Sequence, residues 1–276
     1  GSRKTGQSVK ALVNRIWSIA LKSTAFRKRM LAHLRSDYFH EFGHSIPLGN
    51  DYWAHLLESD SYDSFSEIFI QQEYLDYLPV DQVTRILDLG AHYGYFSLWL
   101  QSQFPDKELY SLMIEPSTRC RRSLKTLIND PQLDGRFSYL QQVVEVPEKG
   151  TTKFYDRPHM AGSRFSSNEE ETAIELQTLN ETSILECFTH PYDLIKCDIE
   201  GSEWEFINYY PRLLKRTQYL LLEWHSWHKG GGGYEQLIDK LRNIEYDILK
   251  SSKPITAVGR DGEVGLILAR NIKFKA

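Results

Sequence analysis

The spacing of apolar positions changes character near residue 85. Before it, Val9, Leu12, Val13, Ile16, Trp17 and Ala20 recur at helical intervals, which predicts one or two helices over residues 5–35. Ser45–Asn50, with Pro47 and Gly49, reads as a loop, and residues 51–79 give further helical signal that stops at Pro79. From Arg85 onward, short apolar runs alternate with helical patterns. Strands are expected at 85–89, 109–114, 137–146, 192–198, 218–224, 245–250 and 264–270, and helices at 94–103, 117–129, 203–209 and 233–243. Thr152–Tyr155, after the turn residues Pro147–Gly150, adds an extra strand. The alternation predicts an α/β, Rossmann-like fold: a mostly parallel seven-stranded sheet with helices on both faces. Residues 1–65 are then an N-terminal helical extension and residues 66–276 the main body. His159–Glu171 reads as a mobile loop near the site. The glycine run Gly230–Gly233 reads either as a flexible connection at the lip of a cleft or as a tether without a role.

Within this pattern, Arg85–Leu89 is an apolar run that carries Asp88 near its end and leads into Gly90, Ala91, His92, Tyr93 and Gly94, where a helical pattern begins. Glycines at a strand-to-helix turn let the backbone approach a ligand, and the exposed N–H groups of the helix start favour polar groups. The next apolar run, Leu109–Ile114, ends in Glu115, an acid placed to accept hydrogen bonds from both hydroxyls of a ribose. A dinucleotide turn needs glycine where this chain has His92 and Tyr95, so a pyrophosphate is disfavoured and with it a nicotinamide oxidoreductase. The form Asp-x-Gly-x-x-x-Gly suits a nucleoside without phosphate, and leaves Asp88 to face an ammonium group. S-adenosylmethionine carries both a ribose and an ammonium.

Composition narrows the classes. The chain has 276 residues, 41% hydrophobic and 25% charged, the balance of a globular protein. No apolar run reaches the ~20 residues of a membrane span. Cys120, Cys187 and Cys197 show neither zinc spacing nor a disulfide framework, which predicts a reducing, cytoplasmic setting. The net charge of −4 conceals an asymmetry: residues 1–35 hold nine basic residues and no acid, while the rest of the chain carries 24 Lys and Arg against 37 Asp and Glu. The basic arm is either a peripheral contact for anionic lipid or a lipid-linked substrate, or a helix packed on an acidic body or a second subunit; the second is the plainer expectation. An acidic body is not expected to bind nucleic acid.

A second constellation lies downstream. The run Tyr192–Cys197 leads into Asp198 and Glu200, on one face if the chain is still extended, and Ser202 with Glu205 has the form of a capping box. The run Tyr219–Leu222 leads into Glu223 and His225, another i, i+2 pair at the same sheet edge. Together with the Asp88–Gly94 turn, the block Lys196-Cys197-Asp198-Ile199-Glu200-Gly201-Ser202-Glu203 and the preceding Thr178-Leu179 pair resemble the FkbM family of S-adenosylmethionine-dependent methyltransferases. The resemblance covers residues 66–270, and His92 stands where the family usually has Asn. It implies O-methylation of a hydroxyl on a small molecule, a saccharide or a lipid-linked natural product. By position it places Gly90, Ala91, His92 and Gly94 around the methionine part, Glu115 at the ribose, Gln142 and Val143 at the adenine, and Asp198 beside the methyl group.

An alcohol is a poor nucleophile near neutral pH, so a positioned base is expected, and His225 has the right reference pKa. Asp198, Glu200 and Glu223 can orient that imidazole, or the group can hold a divalent cation through oxygens; the metal-free arrangement is the expectation. The plainer alternatives are that Glu200 and Glu203 pair with Lys196 or Arg212, that His225 is a hydrogen-bonded core residue, and that Lys196 is structural. A module of this fold that binds the cofactor without catalysis is the competing functional class.

Overall fold

The computed structural model describes residues 43–78, 83–156, 173–188, 190–227, 232–257 and 262–274, with residues 16, 20, 22, 23 and 25–27. Apart from those last seven, the helices predicted over 5–35 lie outside the described residues, as do the His159–Glu171 loop and Gly230 and Gly231. Two compact units result. The first comprises Gly1–Leu75, His92–Glu108 and Arg119–Phe137; the second comprises Asp76–Ala91, Leu109–Thr118 and Ser138–Ala276.

The first unit begins with an antiparallel hairpin, β1 (His44–Gly49) and β2 (Tyr52–Leu56). Its turn is the pair Asn50 and Asp51, both at positive φ (52° and 64°), the conformation a two-residue hairpin loop requires and these side chains tolerate. The expected loop over 45–50 and the start of the helix after it are therefore strands; Pro47 and Gly49 sit within β1, and the register with β2 shifts between them. Helix α1 (Ser61–Phe65) runs into a π-helical stretch, Ser66–Gln71, and is followed by α2 (Tyr95–Gln103) and α3 (Arg121–Ile128). Half-buried acids join these pieces. Asp60 accepts the Tyr93 hydroxyl at 2.5 Å and pairs with Arg119 at 3.3 Å, and Glu58 accepts the Ser123 hydroxyl.

The second unit is built on β3 (Arg85–Leu89), β4 (Tyr110–Ile114), β5 (Phe137–Leu140), β8 (Tyr192–Cys197), β9 (Thr217–His225), β10 (Tyr246–Ser251), β11 (Ile255–Thr256) and β12 (Glu263–Asn271). Their order is β10-β12-β9-β8-β3-β4-β5 with β11 on β12, eight strands where seven were expected. β3 runs parallel to β4 and β8, and β8 to β9, whereas β12 is antiparallel to both β9 and β10. A separate antiparallel pair joins β6 (Thr151–Tyr155) to β7 (Ala173–Gln177). Among the described residues, four helices complete the unit: α4 (Glu181–Cys187), α5 (Glu203–Tyr209), α6 (Pro211–Lys215) and α7 (Tyr234–Asn243). Of these, α4 and α6 are too short to register as a helical period.

Every residue of β8 is buried, as a strand covered on both faces should be. Leu87, Ile195 and Leu222 meet Phe206, Tyr210 and Leu237 of the helices in one core. At the amino ends of β3 and β8, Asp193 Oδ2 accepts the Thr84 N–H (2.8 Å), the Thr84 hydroxyl (2.7 Å) and the Arg85 N–H (2.8 Å). Among the described residues no helix is long and apolar enough to cross a membrane.

Candidate functional site

The carboxyl ends of β3, β8 and β9 lie side by side in the sheet, and the turns that leave them carry the second unit's chemically active side chains. At the end of β3 the chain turns through Gly90, whose φ is +70°. A Cβ there would stand 1.7 Å from the carbonyl oxygen of Asp198, so both the backbone angle and the space demand glycine. The N–H groups of Gly90 and Ala91 both donate to the Ile114 carbonyl, at 3.0 and 3.1 Å. His92 (φ 53°) and Gly94 (φ 77°) continue the turn by their own backbone angles and belong to the first unit.

Asp88, fully buried, faces an ammonium group of the chain itself. Lys196 Nζ lies 3.8 Å from Asp88 Oδ1, donates to the Gly90 carbonyl at 2.9 Å and to Asp198 Oδ2 at 3.2 Å. Burial pulls the lysine pKa down, but Asp198, Asp88 and Glu223 outweigh it and hold the ammonium charged, above its ordinary range. Lys196 thus ties the glycine turn to the end of β8.

Beyond Cys197 the strand stops, and Glu200 (φ 55°) and Gly201 (φ 108°) turn the chain toward α5. Asp198 and Glu200 therefore do not share a face by strand alternation as expected; the left-handed turn brings them together. Ser202 occupies the N-cap of α5 but its side chain makes no capping bond, so the expected capping box is absent. Glu203 is fully buried instead, and its Oε1 accepts the Gly201 N–H at 3.0 Å and bonds His225 Nδ1 at 2.9 Å. The pairing of Glu203 with Lys196 or Arg212 is not formed; Arg212 donates to the Thr182 hydroxyl.

At the end of β9, His225 is 2% exposed. Its Nε2 stands 3.7 Å from Glu223 Oε1 and 3.8 Å from Asp198 Oδ1. Asp198, Glu200 and His225 can each offer a ligand atom within 4.8 Å of the others. Trp227 lies against the imidazole, with ring centroids 4.6 Å apart, and donates its indole N–H to the Glu200 carbonyl. Burial lowers the His225 pKa, but Glu203, Glu200 and Glu223 prevail and raise it to about 10. A ring in that state carries a proton at neutral pH, and must give it up before it can act as a base. Burial pushes the neighbouring Cys197 thiol well up, which marks it as a core residue and not a nucleophile.

The remaining predicted contacts lie further along the same edge. Glu115, just past β4, is buried, and its Oε1 accepts the Ser117 N–H at 2.8 Å. Asp156 braces that turn by accepting from the hydroxyls of Ser117 (2.7 Å) and Thr118 (2.6 Å) and from the Thr118 N–H (2.8 Å). The expected strand over 137–146 stops at Leu140 because Val143 leaves β5 to bridge Thr178. The Val143 side chain packs with Phe154 and Leu176. Gln142 Oε1 is buried with no hydrogen-bond partner among the described residues.

Residues 88–248, more than half of the chain and including each of these side chains, match the methyltransferase FkbM domain. The chain belongs to the FkbM methyltransferase family. No curated protein has a sequence that matches this family member. Its fold has distant likenesses among solved structures. One is a putative tRNA (m1A22) methyltransferase of Streptococcus pneumoniae in complex with S-adenosyl-L-methionine (11% identity, 75% of this chain and 74% of that one, TM-score 0.45). Another is Aeropyrum pernix fibrillarin with natively bound S-adenosyl-L-methionine (14%, 72% and 71%, TM-score 0.42). A third is precorrin-6y C5,15-methyltransferase of Geobacter metallireducens (11%, 72% and 86%, TM-score 0.40). The family assignment rests on the matched domain and not on these.

Proposed function

We propose that this chain transfers a methyl group from S-adenosylmethionine to a hydroxyl of a sugar, glycolipid or other natural product. The observation that carries the reading is the cluster of Asp198, Glu200, Glu223 and His225 at the ends of β8 and β9, beside the glycine turn that ends β3. The donor fits the residues present. Gly90 lets the turn that ends β3 pack directly against the Asp198 backbone, Glu115 lies just past the second strand, and Gln142 Oε1 is an acceptor without a partner among the described residues, suited to an adenine amine. When bound, S-adenosylmethionine supplies an electrophilic methyl on a sulfonium, a cation that an acid-rich strand edge favours.

The chain's own part is positioning and proton acceptance. Gly90 and Ala91 hold the methionine portion, with His92 and Gly94 continuing the turn, and Glu115 holds the ribose. A carboxylate of the cluster, Asp198 or Glu223, accepts the one hydrogen bond that the acceptor hydroxyl donates, aligning its oxygen with the methyl carbon, and the cluster takes the hydroxyl proton. Alignment of this kind is where much of the rate of an in-line displacement arises. The anionic cluster also favours a hydroxyl over an acidic or phosphate-rich acceptor.

Calorimetry with S-adenosylmethionine, S-adenosylhomocysteine and a nicotinamide dinucleotide tests the donor. Heat from the dinucleotide alone ends the reading. Mass spectrometry of hydroxylated saccharides and polyketides incubated with S-adenosylmethionine then tests the acceptor, and modification only at nitrogen excludes the hydroxyl.

A further inference from the structure

We propose that Asp198, Glu200 and His225 form a binding site for one divalent cation of the Mn²⁺ type. The inference rests on the methyltransferase reading only for what the ion does, not for its binding.

His225 is the central ligand. Its Nδ1 is bonded at 2.9 Å to Glu203, whose Oε1 also receives the Gly201 N–H at 3.0 Å. A carboxylate behind a histidine accepts a hydrogen bond from Nδ1–H, so that Nε2, once its own proton is displaced by the ion, turns its lone pair outward, the arrangement that orients imidazole ligands in metal sites. That Nε2 belongs to a side chain 3% exposed, and it faces carboxylate oxygens of Asp198 at 3.8 Å and Glu223 at 3.7 Å. Both distances exceed a hydrogen bond. The Asp198 distance matches two ligands of one ion: with bonds of ~2.1 Å, ligand atoms stand ~3 Å apart at right angles and ~4.2 Å apart when opposed. The ligand atoms that Asp198, Glu200 and His225 offer all lie within 4.8 Å of one another.

Asp198 is held for the same task. Lys196 bonds its Oδ2 at 3.2 Å, and its other oxygen, Oδ1, is the one that faces His225. Carboxylate oxygens of Asp198, Glu203 and Glu223 lie within 3.8 Å of the ring nitrogens, and Lys196 bonds Asp198. A divalent ion bound there would replace the proton of the ring. Mostly oxygen ligands with one imidazole favour Mn²⁺ over the softer ions that seek thiolates, and the nitrogen disfavours Ca²⁺. Three protein ligands leave open positions, where a hydroxyl oxygen bound to the ion would lose its proton more readily.

The test uses the full chain, stripped with a chelator and titrated with Mn²⁺ alone while the spin-resonance signal of the free ion is followed. One equivalent of signal should disappear, and Glu200→Gln should weaken binding tenfold or more at unchanged affinity for S-adenosylhomocysteine. If Glu200→Gln does not fold by circular dichroism, His225→Ala gives the same comparison. Undiminished free Mn²⁺, or equal binding in wild type and a folded variant, overturns the site and leaves an acid–imidazole network in its place. S-adenosylhomocysteine binding without Mn²⁺ binding sinks only the cation site. Mn²⁺ binding without the nucleoside sinks the methyltransferase reading and leaves the site standing.

Discussion

Gly90 and Asp198 approach so closely that a methyl group on the first would stand 1.7 Å from the carbonyl oxygen of the second. The contact is backbone against backbone, so no side chain can turn aside to relieve it. Gly90→Ala must also hold φ near +70°, a left-handed conformation that costs an L-residue roughly 1–2 kcal/mol. We expect this variant to lose S-adenosylhomocysteine binding altogether, measured by calorimetry, with a lowered melting temperature. Wild-type affinity in Gly90→Ala would show that the turn does not line the nucleoside.

Glu115 should contribute a charge-assisted hydrogen bond to the ribose, worth ~1.5–3 kcal/mol. Glu115→Ala is therefore expected to weaken S-adenosylhomocysteine binding by roughly ten- to a hundredfold. Because Glu115 Oε1 also holds the Ser117 N–H, Asp156→Asn is the control: it loosens the same turn while leaving the acid in place. Equal losses in the two variants would assign Glu115 to the turn and not to the ligand.

Removal of the imidazole should strike turnover and spare binding. His225→Ala is expected to lower kcat by ~10²-fold or more, whether the ring takes the hydroxyl proton itself or holds an ion that makes that proton easier to lose, at unchanged S-adenosylhomocysteine affinity. Full activity in this variant would take the ring out of the chemistry and leave alignment of the hydroxyl as the source of rate.

The same ring sets a pH dependence in the metal-free protein. Glu203, Glu200 and Glu223 overcome burial and lift its pKa from 6.5 to about 10. The folded value lies above the unfolded one, so the stability contributed by the protonated ring is fully present below pH 6.5 and is lost as pH rises through about 10. Denaturant unfolding of the chelated chain over that window should show stability falling with pH, with a shallower fall in His225→Asn. Identical slopes would mean that the carboxylates do not hold the proton on the ring.

Much of the sheet was legible in one dimension. The run at 85–89 is β3 to the residue, because strands buried on both faces leave continuous apolar runs between turn residues. Asp198, Glu200, Glu223 and His225 were placed at one edge by the ends of adjacent strands. The chain is no longer extended at Glu200, whose left-handed backbone, and not strand alternation, turns it. Glu203 was the larger omission. Its bond to His225 spans 22 residues, and no periodicity reports a contact between a helix start and the end of the next strand. The final Glu of the Asp-x-Glu-Gly-x-Glu block was the available signal. In the hairpin, Asn50-Asp51 between Ile46, Leu48 and Tyr52, Ala54, Leu56 carried the pattern, but Pro47 and Gly49 were read as breakers.

The clamp formed by Asp193 on Thr84 and Arg85 has a consequence for how this enzyme can be altered. It fastens β3 to β8 at the foot of the strands, whereas the reactive groups stand at their tips. Durability and turnover are thereby assigned to opposite rims of one sheet. Changes at the foot should shift how much heat the protein survives while leaving the methyl acceptor it selects untouched, so the two properties can drift, or be engineered, independently.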